Sequence, residues 1–118
     1  MELPESMVRS SNLTPKQVES LTSYVRVRSH ETTLREAAAS RSSGEVKIGS
    51  YYRTVQQGRD NIRSSIITVL IALWSGFVKG DDLRRLLDQT SKGLPELEER
   101  ERSRVVSLVE ALVDKIVM

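Results

Sequence analysis

Ser50-Tyr51-Tyr52-Arg53-Thr54-Val55-Gln56-Gln57-Gly58-Arg59 is the stretch that decides how this chain folds. Serine is a favoured N-cap, so a helix is expected to begin at Ser50. At about 100° per residue, Tyr51, Val55, Gly58 and Ile62 share one face, and Ile66, Val69 and Leu73 continue it. One long helix, or two with a bend, is therefore expected from Ser50 to about Val78. Arg53, Gln56, Gln57 and Asp60 point the opposite way, with Tyr52 and Arg59 on the flanks. Gly58 lies on the inward stripe, where the missing side chain permits close packing.

Upstream, Thr14, Pro15 and Gln17 form a capping box with proline at the first helical position. Val18, Leu21, Tyr24 and Val25 follow at helical spacing, and this helix should fade near Arg28-Ser29. Thr33 and Glu36 form a second capping box before a short helix with an inner stripe of Leu34, Ala37 and Ala38. Ser40 to Gly49 is turn-like, and Val46 and Ile48 alternate within it as a brief extended piece. Residues 1–12 show no periodicity and read as a flexible arm or short capping segment.

Downstream, Ile66 to Trp74 is apolar on nearly every side, so something must cover it all round. In so small a protein a second subunit is the expected cover. Gly80 should end this helix and Asp81 or Asp82 cap the next, which carries Leu83, Leu86 and Leu87. Thr90 to Gly93 reads as a turn. Pro95 should open a last helix, with Glu98 and Arg102 paired at i,i+4. Val105, Leu108, Val109, Leu112, Val113, Ile116 and Val117 give that helix a broad apolar face. Ile67, Leu70, Ile71, Trp74, Leu108, Leu112 and Ile116 are the expected homodimer interface.

The expected fold class is all-α. One compact domain is expected overall, with residues 13–63 a helix-turn-helix and residues 64–118 a helical dimerisation region. The 118 residues fit a single domain. Six glycines, three prolines and only 4% aromatic residues argue against an all-β chain and for an aliphatic core. The absence of cysteine excludes disulfides and thiolate metal sites. Met1 to Glu5 is acidic with no apolar run, unlike a secretory signal. Ile66 to Trp74 is about half the length of a membrane span. A soluble, cytoplasmic, nucleoid-associated protein is expected, with no membrane partner.

Net charge is +2, unevenly spread. Tyr24 to Arg63 holds eight basic and four acidic residues, whereas Asp81 to Met118 holds seven basic and nine acidic. A basic front half fits a polyanionic partner; the plainer alternative is ordinary surface charge. Enzyme chemistry is not indicated. His30 is the only histidine and stands beside Glu31 in an expected loop, without a second histidine or cysteine for a metal or a nucleophilic relay. Glu96, Glu98, Glu99 and Glu101 are interleaved with arginines as a solvated face. No phosphate-cradling glycine loop is present. No metal and no cofactor are expected, and nothing marks a small-molecule effector.

A short alanine-rich helix followed by a basic helix is the sequence form of a helix-turn-helix. The major groove of duplex DNA admits one α-helix, read from its first turns. Arg53 can pair bidentately with guanine, and Gln56 or Gln57 with adenine. Lys47, Ser50, Arg59 and Arg63 are placed for phosphates, and Tyr52 for a sugar or for bracing Arg53. Asp60 would repel the phosphates unless it lies past the edge of the DNA. A two-fold dimer would set two reading helices about one DNA turn apart. A helical interaction or scaffold protein without nucleic acid is the first alternative. An RNA-binding module is the second, and it lacks exposed aromatics for stacking bases.

Leu13-Thr14-Pro15-Lys16-Gln17, Thr33-Leu34-Arg35-Glu36-Ala37-Ala38 and Asn61-Ile62 together resemble the sigma-factor region 4 type of helix-turn-helix. The likeness is nearer to the Tfx-like archaeal regulators, which open with a Leu-Thr-x-x-Gln helix and close with an Asn-Ile pair. It covers Leu13 to Arg63. It implies promoter binding by the third of these helices, with Tyr52, Arg53, Gln56 and Gln57 on DNA. Ser40 to Gly49 is longer than that family's turn, and Ala37 stands where a branched residue is usual. A winged variant with Val46 to Ile48 as a small strand would accommodate both.

Overall fold

The computed structural model describes residues 3–41, 46–90 and 99–117, apart from the side chains of Glu99 and Arg102. The described residues form six α-helices: α1 (Glu5–Arg9), α2 (Pro15–Arg28), α3 (Leu34–Ala39), α4 (Ile48–Ser75), α5 (Gly80–Thr90) and α6 (Glu99–Ile116). Among them there is no named strand; one isolated antiparallel bridge pairs Val78 with Val117. No helix among them is long and apolar enough to cross a membrane. The chain divides into two compact units. One is Val8–Ser65; the other joins Met1–Met7 to Ile66–Met118.

Local signals place most helix starts. The Thr14 hydroxyl accepts from the Gln17 N–H at 3.2 Å, while the Gln17 side-chain oxygen accepts from the Thr14 N–H at 3.0 Å. This is a complete capping box, which satisfies two otherwise orphaned donors. Thr33 caps α3 in the same way, accepting from the Glu36 N–H at 3.2 Å. Its expected reciprocal half is absent. The Glu36 carboxylate instead accepts from the Thr32 hydroxyl at 3.0 Å.

Helix α2 ends on a left-handed residue. His30 has φ 61°, the only positive φ outside glycine among the described residues. The His30 N–H donates to the Val27 carbonyl, and the Glu31 N–H to the Arg26 carbonyl. Those are the two bonds of a Schellman closure, a place usually taken by glycine. His30 is thus a helix terminator, and an Arg26–Glu31 ion pair at 3.5 Å spans the same turn.

Several expected boundaries move. Residues 3–12, expected as a flexible arm or short capping segment, contain α1, with Val8 buried. Helix α4 begins two residues early, because the Lys47 carbonyl already accepts from the Tyr51 N–H at 3.0 Å. Ser50 therefore lies inside the first turn rather than capping it, and Ile48 is helical rather than part of a small strand. Gly76, at φ 81°, ends α4 in place of Gly80. The Gly76 N–H turns back to the Leu73 carbonyl at 3.2 Å. Gly80 becomes the first residue of α5, and Asp81 and Asp82 lie in its first turn, beside the positive end of the helix. Thr90 is the last residue of α5 rather than a turn. The expected turn at 91–93, the helix start at Pro95 and the Glu98–Arg102 pair lie outside the described residues.

The core of the Val8–Ser65 unit is small. Ala37, Ala38, Tyr51 and Val55 are buried together, with Leu21, Tyr24, Val27, Leu34 and Val46 packed around them. The buried face of α2 is rotated from the expected one. Gln17 and Ser20 are buried, whereas Val25 is exposed and Val27 takes its place against the core. The reason is polar. The Tyr51 hydroxyl donates to the Ser20 carbonyl at 3.1 Å and pairs with the Ser23 hydroxyl, so α2 turns its serines toward α4.

Candidate nucleic-acid interface

Three clamps hold the first half of α4 on α2. The uppermost is Tyr51, wholly buried, with its hydroxyl on Ser20 and Ser23. The second is Gly58. A Cβ built there would stand 2.7 Å from Leu21 Cδ1 and 3.1 Å from Leu21 Cγ, so hydrogen alone lets the two helices approach this closely. The third is Asn61, whose Nδ2 donates to the Gln17 side-chain oxygen at 3.2 Å. Nearby, Asn12 Nδ2 donates to the Ser65 hydroxyl at 3.0 Å.

Fixing that face of α4 directs the other outward. Lys47, Ser50, Arg53, Gln57, Arg59 and Arg63 are all exposed. Asp60 is exposed as well. Gln56 is half-buried rather than free. Tyr52 is partly exposed, with its ring edge-on to Tyr24 at a centroid distance of 6.1 Å. Edge-to-face geometry of this kind restrains a ring that still shows one side to solvent. Tyr52 therefore packs on its own chain and flanks Arg53 at once.

None of Lys47, Arg53, Arg59 and Arg63 forms an ion pair among the described residues. These cations carry charge that is not neutralised locally. The arrangement supplies a guanidinium fork, an amide and flanking cations on the first four turns of one rigid helix. Among the described residues, no group of three or more histidine, cysteine, aspartate or glutamate side chains could hold a metal ion.

The residues named for a subunit interface all belong to the other unit. Ile67, Leu70, Ile71 and Trp74 on α4 are exposed, Trp74 at 79%. Leu108 on α6 is 60% exposed. Leu112 and Ile116 differ, being half-buried and lining a cleft between α6 and α5.

The sequence marks Gly58 as a point of close packing but not the two polar clamps. Gln17 was legible only as a local cap, although its oxygen also holds Asn61. Tyr51 was legible only as a packed ring, although its hydroxyl fixes which side of α2 faces inward. Compared with known families, curated proteins and solved structures, the chain matches none.

Proposed function

We propose that this protein is a DNA-binding transcriptional regulator that acts as a homodimer and reads duplex DNA with the first half of α4. One observation carries the reading. Arg53 and Gln57 are exposed away from the face of α4 that Tyr51, Gly58 and Asn61 lock down, Arg59 and Arg63 are exposed toward its flank, and the three arginines form no ion pair among the described residues. A rigid helix with free basic and amide tips is what the major groove accepts.

In this reading Arg53 makes the bidentate contact to guanine, and Gln57, more exposed than Gln56, takes adenine. Lys47, Ser50, Arg59 and Arg63 meet phosphates, helped by the positive N-terminal end of α4. Tyr52, restrained by Tyr24, braces Arg53. Asp60, exposed between Arg59 and Arg63, sets a carboxylate beside the phosphates and weakens the grip of its neighbours. Two chains joined through Ile67, Leu70, Ile71 and Trp74 present two such helices to a pseudo-palindromic site.

Fluorescence anisotropy with duplex DNA, single strands and structured RNA tests this. Duplex binding is expected to weaken steeply as salt rises, because cations displace condensed counterions. Arg53→Ala should cost roughly tenfold to a hundredfold on the preferred duplex and flatten its sequence preference. Arg63→Ala should weaken all duplexes alike. Unchanged binding by both variants would remove the reading face from α4. The exposed apolar half of α4 also suits a helical interaction protein without nucleic acid, which predicts no salt-sensitive retention of duplex.

A further inference from the structure

The cleft between α5 and α6 lies entirely within the unit that joins Met1–Met7 to Ile66–Met118. Its volume is about 310 Å³. Helix α5 contributes Asp82, Arg85, Leu86 and Gln89, spaced as one helical stripe, and α6 contributes Leu112, Lys115 and Ile116. Leu86, Leu112 and Ile116 are half-buried and form an aliphatic floor. Arg85, Gln89 and Lys115 are exposed and stand at the rim, with Asp82 half-buried among them.

Neither Arg85 nor Lys115 forms an ion pair among the described residues. The lining therefore carries two cations, Arg85 on α5 and Lys115 on α6, against one carboxylate, Asp82 on α5. The volume is at the lower end for small-molecule sites and holds roughly ten waters. A macromolecular segment would need a longer trough. A ligand matching this lining has a short aliphatic tail and a single negative head.

We propose that the α5–α6 cleft binds a small amphipathic monocarboxylate. The tail lies on Leu86, Leu112 and Ile116. The carboxylate sits between the Arg85 guanidinium, which can grip it through two parallel N–H donors, and the Lys115 ammonium. Asp82 disfavours a second negative charge on the ligand. The site is independent of the nucleic-acid reading and stands or falls without it.

The probe is hexanoate, with hexylammonium and hexan-1-ol as controls of equal chain length, titrated into the full chain and followed by amide NMR. Hexanoate should shift α5 and α6 signals, and hexylammonium should bind about tenfold more weakly. Arg85→Ala combined with Lys115→Ala removes two exposed side chains. This variant should keep the parent's spectrum and lose that preference. Leu112→Trp should fill the floor and abolish binding without altering the mass seen by light scattering. The proposal is overturned if hexanoate leaves α5 and α6 unmoved at about 20 mM. It is also overturned if hexylammonium binds equally, or if the double alanine variant keeps its preference. Should Leu112→Trp change the oligomeric state while hexanoate leaves the parent untouched, the cleft seats a second copy and the ligand assignment fails.

Discussion

The first half of α4 buries Tyr51, Val55 and Gly58 against its own chain, whereas the second half leaves Ile66, Ile71 and Trp74 open to solvent. Both halves carry an apolar stripe at helical spacing. They differ in what their neighbours supply. The Val8–Ser65 unit closes its core with alanines, a glycine and polar clamps from α2. The second half presents branched aliphatics and an indole to solvent. A stripe in the sequence thus marks a face that wants cover; it does not say whether the cover comes from the same chain.

The sharpest break in this comparison is to put charge on the open half. Ile67→Glu with Ile71→Glu changes two exposed positions, so each chain should still fold. Light scattering should show the parent at twice the chain mass and the variant at one chain mass, with dimer affinity down at least about a hundredfold. A parent that runs as a single chain at micromolar concentration removes the homodimer from the proposed function.

The closed half can be broken from within. Gly58→Val puts branched carbons into Leu21 and Gln17, and overpacking of this kind costs about 1–3 kcal/mol. Urea denaturation should show that loss, with helix content retained at low denaturant. No loss of stability would mean that the two helices do not approach as closely as Gly58 permits.

A smaller effect of opposite sign sharpens the contrast. The Ser20 hydroxyl is fully buried and has no hydrogen-bond partner among the described residues. A buried donor without a partner is unfavourable, so Ser20→Ala should be neutral or raise stability by up to about 1 kcal/mol. The same urea measurement checks it. Destabilisation beyond about 1 kcal/mol would show that the hydroxyl does have a partner.

Sequence periodicity and caps made the all-helical class and the length of α4 legible. Thr14, Gln17 and the Ala37-Ala38 stripe behave as their spacing suggests. What escaped was governed by groups that act twice or by backbone geometry. Val25 looks apolar and inward, yet the Tyr51 hydroxyl turns the serine face of α2 toward the core. Gly80 looks like a terminator, yet Gly76 takes the left-handed position first. His30 occupies a position where glycine would have announced the helix end. For the candidate site, the exposed arginines were legible from the 3.6-residue repeat. The Tyr24 support of Tyr52 needed a neighbouring helix to be seen, and the half-burial of Gln56 was not legible from the repeat.

Gln17 serves two masters with one oxygen: it closes the start of α2 and receives the Asn61 amide. The opening turn of α2 therefore cannot fray without also loosening its hold on α4. Local order and tertiary docking are coupled at this point.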